Sequence, residues 1–500
     1  MARTKESAEK KYRIEFVDRI LDPVHGFIDL TQVEKEIIEL PIFKRMQSLK
    51  QLSLTNWVFP GAEHTRYMHS LGVMHIVDLM ATNLRDEDNN QKYNDAQRQL
   101  LRLAGLLHDI GHYPLSHVTE YVYLDNLFGE EDTLLNHNIK VKADIDKLTS
   151  DRVSTPDYMK DRYSKPMHHE TMGTKVIEND RQIRQIIEKY CSFIDIRDIQ
   201  DIIVGSVVRN PKISAMVQLI HSELDADGID YVMRDATFSG TSYGGFELGL
   251  LLRNLAVTSY NGVDIVGVRP KAISVVDQYL VSKYFAYTQV IFNRHVAIFD
   301  TMAELFTKAL IELDKSSYPR PETLNLHVKN HEKNDTYLKF TDRAFWTQLD
   351  NIEKKDLEGY VPEYIVKIHE KLLHYREFDL AKAGEVIITS NDKKEVAKVL
   401  MESPIYSRLL DTSESKMMLF HKRGFTSQVP EKVFREILDK IMMKTVSDEE
   451  FAKNNVSRLQ EGVAVITPGE VPKLLVDDKK SIMSHLYGTM TYILREYEIK

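Results

Sequence analysis

Five hundred residues, 43% hydrophobic and 28% charged, are the composition of an ordinary globular protein with room for about three domains, or one large catalytic unit with appendages. A formal charge of −9 argues against a constitutive nucleic-acid coat, and the single cysteine, Cys191, excludes an intrachain disulfide and a cysteine-built zinc site. The opening MARTKESAEKKYRIEF is charged and has no apolar core of a signal peptide, and no run of about 18 apolar residues follows. A cytoplasmic protein without a membrane segment is expected.

Tyr12–Leu30 mixes β-branched residues with a Pro and a Gly, which predicts a short strand or hairpin. Thr31 and Glu34 form a capping-box pattern for a helix to Leu40, and a second helix is expected over Pro41–Leu52. The break at Val58–Ala62 places His64–His69 on a loop that enters a helix over Ser70–Leu84. After a polar turn, Leu100, Leu103, Ala104 and Leu107 mark the buried face of the next helix. Residues 129–165 are charged and aperiodic, an expected mobile insertion or lid. Helices are then predicted over Met167–Tyr190, Ile196–Arg209 and Pro211–Leu224. A hairpin is expected around Asn261-Gly262, and a long helix over Ala272–Leu313. A polar stretch at 316–336 suggests a boundary between a core over 1–315 and a C-terminal α+β region over 316–500, regulatory or oligomerising. That region reads as helices at Pro430–Met443 and Lys479–Tyr497, a strand at Val463–Thr467, and a loop at HKRGFTSQ, residues 421–428.

The chemistry concentrates in LLHDIGHYPLSHVTE, residues 106–120. His108 and Asp109 follow a greasy helical face, where unpaired polar groups cost several kcal/mol unless something compensates them. An HD dipeptide alone is more often a plain hydrogen-bonded pair. Together with His69 before it and Asp227 well after it, the pair makes an imidazole and carboxylate set able to hold a divalent metal ion: Mn, Fe, Zn or Mg. The histidines weigh against a pure Mg site. Around this set His112, His117, Glu120 and His169 are candidate proton carriers, and Arg66 a phosphate clamp. Lys283 lies on a helical stripe with Tyr279, Tyr287 and Ile291, a core pattern that would also suit a phosphate-facing lysine. No Gly-rich phosphate loop occurs.

Six stretches carry a resemblance. They are DPVHGFIDL (22–30), FPGAEHTRYMHSLGV (59–73), AGLLHDIGHYPLSHVTE (104–120), HHETMG (168–173), ELDADGIDYVMRD (223–235) and IFDTM (298–302), with a fainter echo at FTDRAFW (340–346). In this order they resemble the HD-domain phosphohydrolase superfamily, and within it the dNTP triphosphohydrolase branch. The resemblance implies a mainly α fold: an HD-domain helical core with small β-hairpins and a smaller α+β C-terminal region. It implies one metal held by His69, His108, Asp109 and Asp227, with water attacking the α-phosphate of a dNTP to release deoxynucleoside and triphosphate. By position, Arg66 would contact phosphate, and His112, His117 and His169 would orient groups or move protons. Glu120 replaces an Asp that holds the catalytic histidine. Gln51 and Leu52 match residues along the deoxyribose, while Tyr231 and Asp235 match residues that pack against and bond the sugar. A homo-oligomer, dimer or tetramer, and a nucleotide activator are family traits.

This sequence departs from the family at several positions. Gly228 stands where vertebrate members carry a phosphate-binding Lys, and Lys283 replaces an Arg, keeping charge but losing the bidentate fork. Tyr287 and Ile291 replace a His and a Tyr of the nucleotide pocket. Gln47 stands where the guanine-nucleotide activator site has an Arg, and Glu39 where it has an Asp. Two other readings are therefore a phosphohydrolase acting on another nucleotide ester, and a non-catalytic oligomeric nucleotide-binding protein.

Overall fold

The computed structural model describes residues 9–125, 166–313, 318–374, 380–390, 392–408, 417–426, 456, 458–486 and 490–499. The expected insertion at 129–165 and the expected helix at Pro430–Met443 lie outside them. The architecture is mainly α, with three small sheets among the described residues. No helix among the described residues is long and apolar enough to cross a membrane.

Strands β1 (Phe16–Asp22) and β2 (Gly26–Thr31) form an antiparallel hairpin. Thr31 then caps helix α1 (Gln32–Ile38) in the expected box with Glu34. Glu34 is fully buried and receives both Arg102 and Gln99. The helix expected over Pro41–Leu52 is instead one α turn, Pro41–Lys44, followed by a 3₁₀ turn, Arg45–Ser48. The chain extends at Leu49 because Lys50 bridges to Thr65 and the Arg66 N–H donates to the Leu49 carbonyl. That bridge brings the next helix forward. Helix α2 spans Arg66–Asn83, so His69 sits one turn inside it rather than on the entering loop.

Helix α3 (Asp95–Leu107), capped by Asn94, packs along α2 and ends where His108 begins. A tight turn leads to helix α4 (His117–Asp125). The helix expected over Met167–Tyr190 is two, α5 (His169–Asn179) and α6 (Arg181–Cys191). Asp180 breaks them: its carboxylate caps the second by accepting the Ile183 N–H and is held by His331. Helix α7 (Ile196–Ile203) stops six residues short of Arg209, which folds back onto Asp198 and Asp201. The segment expected as a helix over Pro211–Leu224 holds only a 3₁₀ turn and Ser214–Gln218.

Helix α8 (Ala226–Ser239) starts on the Asp225 cap and stops at left-handed Gly240. It crosses α2 where Gly72 has no side chain; a Cβ there would overlap Asp230. Strands β3 (Leu255–Tyr260) and β4 (Val263–Val268) close through Asn261 and Gly262, both with positive φ, the turn the sequence predicts. The long helix expected over Ala272–Leu313 is interrupted. Helix α9 (Ile273–Phe285) passes into a π segment, Ala286–Ile291, before α10 (Arg294–Glu312).

The core does not stop at position 316. Tyr318, Phe340, Phe345, Ile368, Leu459 and Leu475 belong to the same apolar cluster as Ile28 and Leu107. Helix α11 (Asp342–Asn351) begins at the FTDRAFW echo. Strand β5 (Leu380–Ser390) and strand β6 (Met417–Thr426) flank a later strand in a three-stranded antiparallel sheet. Residues 421–426 are therefore strand, not the expected loop. The expected strand at Val463–Thr467 shortens to β7 (Ala464–Val465), which pairs in parallel with β4, and β8 (Lys473–Leu474) adds to it. The sheet's central strand is β9 (Met490–Ile499), where a helix over Lys479–Tyr497 was expected. Pairing on both edges, to β5 and to β6, overrides the helical pattern of the segment.

Candidate metal centre and histidine cluster

His69 projects from the first turn of α2, His108 and Asp109 from the end of α3, and Asp227 from the first turn of α8. All three helices converge there. His69 is fully buried, and its Nδ1–H donates to Asp230 Oδ2 at 2.7 Å. His108 Nδ1–H donates to the Gly105 carbonyl at 2.8 Å. A carbonyl can only accept, so the His108 tautomer is set and its Nε2 carries the lone pair. Both Nε2 atoms are buried without a hydrogen bond. Asp227 Oδ1 lies 2.8 Å from His69 Nε2 and 3.9 Å from His108 Nε2, and Asp109 Oδ2 lies 3.8 Å from His69 Nε2. His69, His108 and Asp109 present their ligand atoms within 4.8 Å of one another. Orphaned, converging nitrogens beside two carboxylates fit a divalent cation, and the fixed tautomers are those that ligation requires.

The charges of this set act strongly on one another. Burial alone would push His69 down, but the Asp227 and Asp230 carboxylates override it and hold the imidazole up at about 10. Burial would raise Asp227, yet His69 beside it keeps the carboxyl at about 2. Asp109 is buried too, but the Arg66 guanidinium, 2.7 Å from Oδ2, holds it well below the usual carboxylate range. Arg66 also donates to Ser116 Oγ and to the Gln51 carbonyl, so its guanidinium is committed to the protein.

The other oxygen of Asp109, 3.6 Å from His108 Nε2, also faces the second cluster. Oδ1 is 3.8 Å from His112 Nε2 and 3.9 Å from His169 Nε2, too far for hydrogen bonds. Glu120, fully buried on α4, joins the remaining members: Oε2 accepts from His117 Nδ1 and Oε1 from His169 Nδ1, both at 2.7 Å. Oε1 also accepts the His169 backbone N–H at the start of α5. Burial would lower His169, but the Glu120 carboxylate keeps it raised, while burial and Arg66 push His112 well down. Burial also lowers His117 against its bond to Glu120. The His112 and His169 rings stack at 4.3 Å. That approach needs glycine: a Cβ on Gly111 would overlap the Gly173 nitrogen and the His169 carbonyl.

Beyond the metal-side groups, Tyr231 and Asp235 lie farther along α8, and Asp235 accepts from His64 Nε2 at 2.8 Å. Tyr287 stands in the π segment, bonded to Tyr231. Leu52 packs with Ala236 and Val290 of the same region, and Gln51 is buried beside Arg66. Lys283 is 3.0 Å from Glu223. Gly228 is crowded by Tyr279, whose hydroxyl a Cβ would overlap. Reading the sequence alone missed Asp230, which binds His69 and His25 and is held by Arg234. Its signal was its place one helical turn after Asp227 and four residues before Arg234.

Residues 66–199 match the HD domain family. An uncharacterised protein of Methanocaldococcus jannaschii is 27% identical over 390 residues, 77% of this chain and 66% of that protein. The Dictyostelium discoideum homolog of deoxynucleoside triphosphate triphosphohydrolase SAMHD1 is 28% identical over 230 residues, 45% of this chain and 37% of that one. The chain thus spans less than two thirds of the first relative and little over a third of the second. A hypothetical protein of Aquifex aeolicus, known from a crystal structure, superposes with a TM-score of 0.60 over 96% of both chains at 22% identity, a shared fold.

Proposed function

We propose, for a chain that carries an HD domain of the phosphohydrolase superfamily, that it is a metal-dependent deoxynucleoside triphosphate triphosphohydrolase. The observation that carries this reading is the convergence of the buried Nε2 atoms of His69 and His108, neither in a well-aligned hydrogen bond, on the carboxylates of Asp109 and Asp227. Those four residues would hold the ion, which when bound polarises a phosphoryl oxygen and makes water a nucleophile near neutral pH.

In the proposed reaction a water oxygen bonds to the α-phosphorus, the bond from that phosphorus to the nucleoside O5′ breaks, and O5′ takes a proton. His117 suits the proton transfer. Its side chain is 41% exposed, against 0% for His112 and 10% for His169, and Glu120 fixes its Nδ1. His169, whose charged form the Glu120 carboxylate favours, and His112 would place positive charge and a polar edge toward the phosphate. Arg66 acts mainly through Asp109. Gln51, Leu52, Tyr231, Asp235 and Tyr287 would line the sugar side and Lys283 the phosphate side. Asp235 is engaged by His64 and Lys283 by Glu223, so each reaches substrate by sharing or exchanging a partner. The C-terminal region would serve assembly or regulation of a homo-oligomer, with a nucleotide as activator, in the cytoplasm.

A second reading, hydrolysis of a shorter nucleotide phosphate ester, is favoured by one observation. Gly228 offers no charge, and Lys283 is already neutralised by Glu223, so the phosphate side is poor in cations for a triphosphate. Purified protein with Mn²⁺ and each dNTP, alone and mixed, tests both. Deoxynucleoside plus tripolyphosphate supports the proposal. Monophosphate plus pyrophosphate, or turnover of monophosphates alone, rules it out.

A further inference from the structure

The turn between His112 and His117 contains two consecutive non-glycine residues in left-handed backbone, Leu115 at φ 53° and Ser116 at φ 51°. Both are buried. Such residues occupy a sparsely populated region, and a pair of them persists only where the surroundings over-determine it. The hydrophobic burial of Leu115 does not specify φ; hydrogen bonds do.

The bond to Leu115 comes from beyond position 316. Asp342, the first residue of α11, is 6% exposed. Its Oδ1 accepts the Leu115 N–H at 2.8 Å and its Oδ2 accepts the Lys50 N–H at 2.9 Å. Ser116 Oγ returns to the same strand segment, donating to the Lys50 carbonyl at 2.7 Å and accepting from Arg66 Nε at 3.0 Å. A second tie runs alongside. Arg45 donates to the His112 carbonyl at 2.7 Å and to the Tyr337 and Phe340 carbonyls at 3.2 and 3.1 Å. The stretch 337–342 therefore grips both ends of the catalytic turn. Among the described residues no cation lies within ion-pair distance of Asp342. A buried carboxylate spent on two backbone N–H groups is unusual for a mere helix start, which a Ser or Thr would serve. Burial indeed pushes its carboxyl up, to about 6.

We propose that Asp342 is a positioning residue for the catalytic turn. Its carboxylate holds Leu115 and Ser116 left-handed, so that His112 leaves the turn facing Asp109 while His117 enters α4 with its ring 4.9 Å from that of His112. The FTDRAFW stretch is thus the back wall of the histidine cluster. The inference rests on the reading that this cluster is the reacting centre, and the test separates the two.

The test compares the full chain, loaded with Mn²⁺, with Asp342→Asn and Asp342→Ala. Asn keeps the shape and one acceptor oxygen; Ala keeps neither. The expected result is a graded loss of kcat, about 10-fold for Asn and about 100-fold for Ala, with KM within about twofold and bound Mn²⁺ unchanged. The second measurement needs no turnover: imidazole NMR signals, assigned by single His→Gln variants. In metal-free D342N those of His112 and His117 should move, while those of His25 and His64, held by Asp230 and Asp235, should not. D342N with wild-type kcat and unmoved His112 and His117 signals overturns the proposal, as does a lowered Tm with those signals in place. If D342A does not fold, D342N decides alone. Absence of hydrolysis by the unaltered protein would count against the proposed function, and the imidazole signals would still decide the clamp.

Discussion

The two histidine clusters use the same ingredients to opposite ends. On the metal side, His69 and His108 each spend Nδ1 on the protein and turn Nε2 toward Asp109 and Asp227 without a well-aligned hydrogen bond. On the other side, Glu120 satisfies His117 and His169 with one oxygen each, while His112 Nε2 stays buried without a bond. The difference lies in which atoms are left over. A buried set that cannot satisfy itself is one that a cation can complete, because unpaired polar atoms in a dry site are costly. The Glu120, His117 and His169 set, satisfied within the protein, stores protons and charge. Asp109 is the hinge between them, Oδ2 toward Arg66 and His69, Oδ1 toward His108 as well as His112 and His169.

Removing the hinge should have the largest effect. Asp109→Ala is expected to abolish both Mn²⁺ binding and turnover and to leave Arg66 buried without its partner; metal content by mass spectrometry and a product assay check it. Retained activity would break the distinction between the clusters. Glu120→Gln should instead spare the metal while lowering kcat by about 10²–10³-fold. It should also move the pH profile. His169 is raised by Glu120, so its charge persists above the ordinary histidine range and is lost as pH rises through the folded value. Without the carboxylate that high-pH limb should shift to lower pH, and an unmoved limb would exclude His169 as the charged partner.

Asp230→Asn sharpens the metal side alone. It weakens the acceptor that orients His69, and metal affinity should fall about 10–100-fold with kcat at saturating metal little changed, measured by Mn²⁺ titration. Gly111→Ala tests the contact between α5 and the HD loop. Its Cβ meets backbone that cannot rotate away, so a loss of about 1–3 kcal/mol and a lower Tm are expected. The smallest effect concerns Asp342. Its folded pKa, about 6, lies above the ordinary aspartate value of 3.8, so the folded state holds the proton more tightly. That contribution is fully present below about pH 4 and is lost as pH rises through 6. Asp342→Asn should flatten this part of the stability curve, read as Tm against pH.

Much of this was legible in the chain. The capping box at Thr31–Glu34, the Asn261-Gly262 hairpin and the buried face of α3 are local patterns, set by spacing and turn chemistry, and they stand in the structure as the sequence predicts. The helix expected at Lys479–Tyr497 failed because two neighbouring strands, from residues 380 and 417 onward, claim the same backbone. No local pattern carries that information.

The same line divides the site. The sequence alone determined which residues are chemically fit to bind a metal or move a proton, because residue type and motif order are written in the chain. Only the tertiary structure decided which of their atoms remain unsatisfied. It turned His69 onto Asp230 and His108 onto Gly105, tied His117 to His169 through Glu120, and brought Asp342 behind Leu115 across more than two hundred residues. Hydrogen bonds between distant segments depend on direction and distance, and these exist only after the helices have packed.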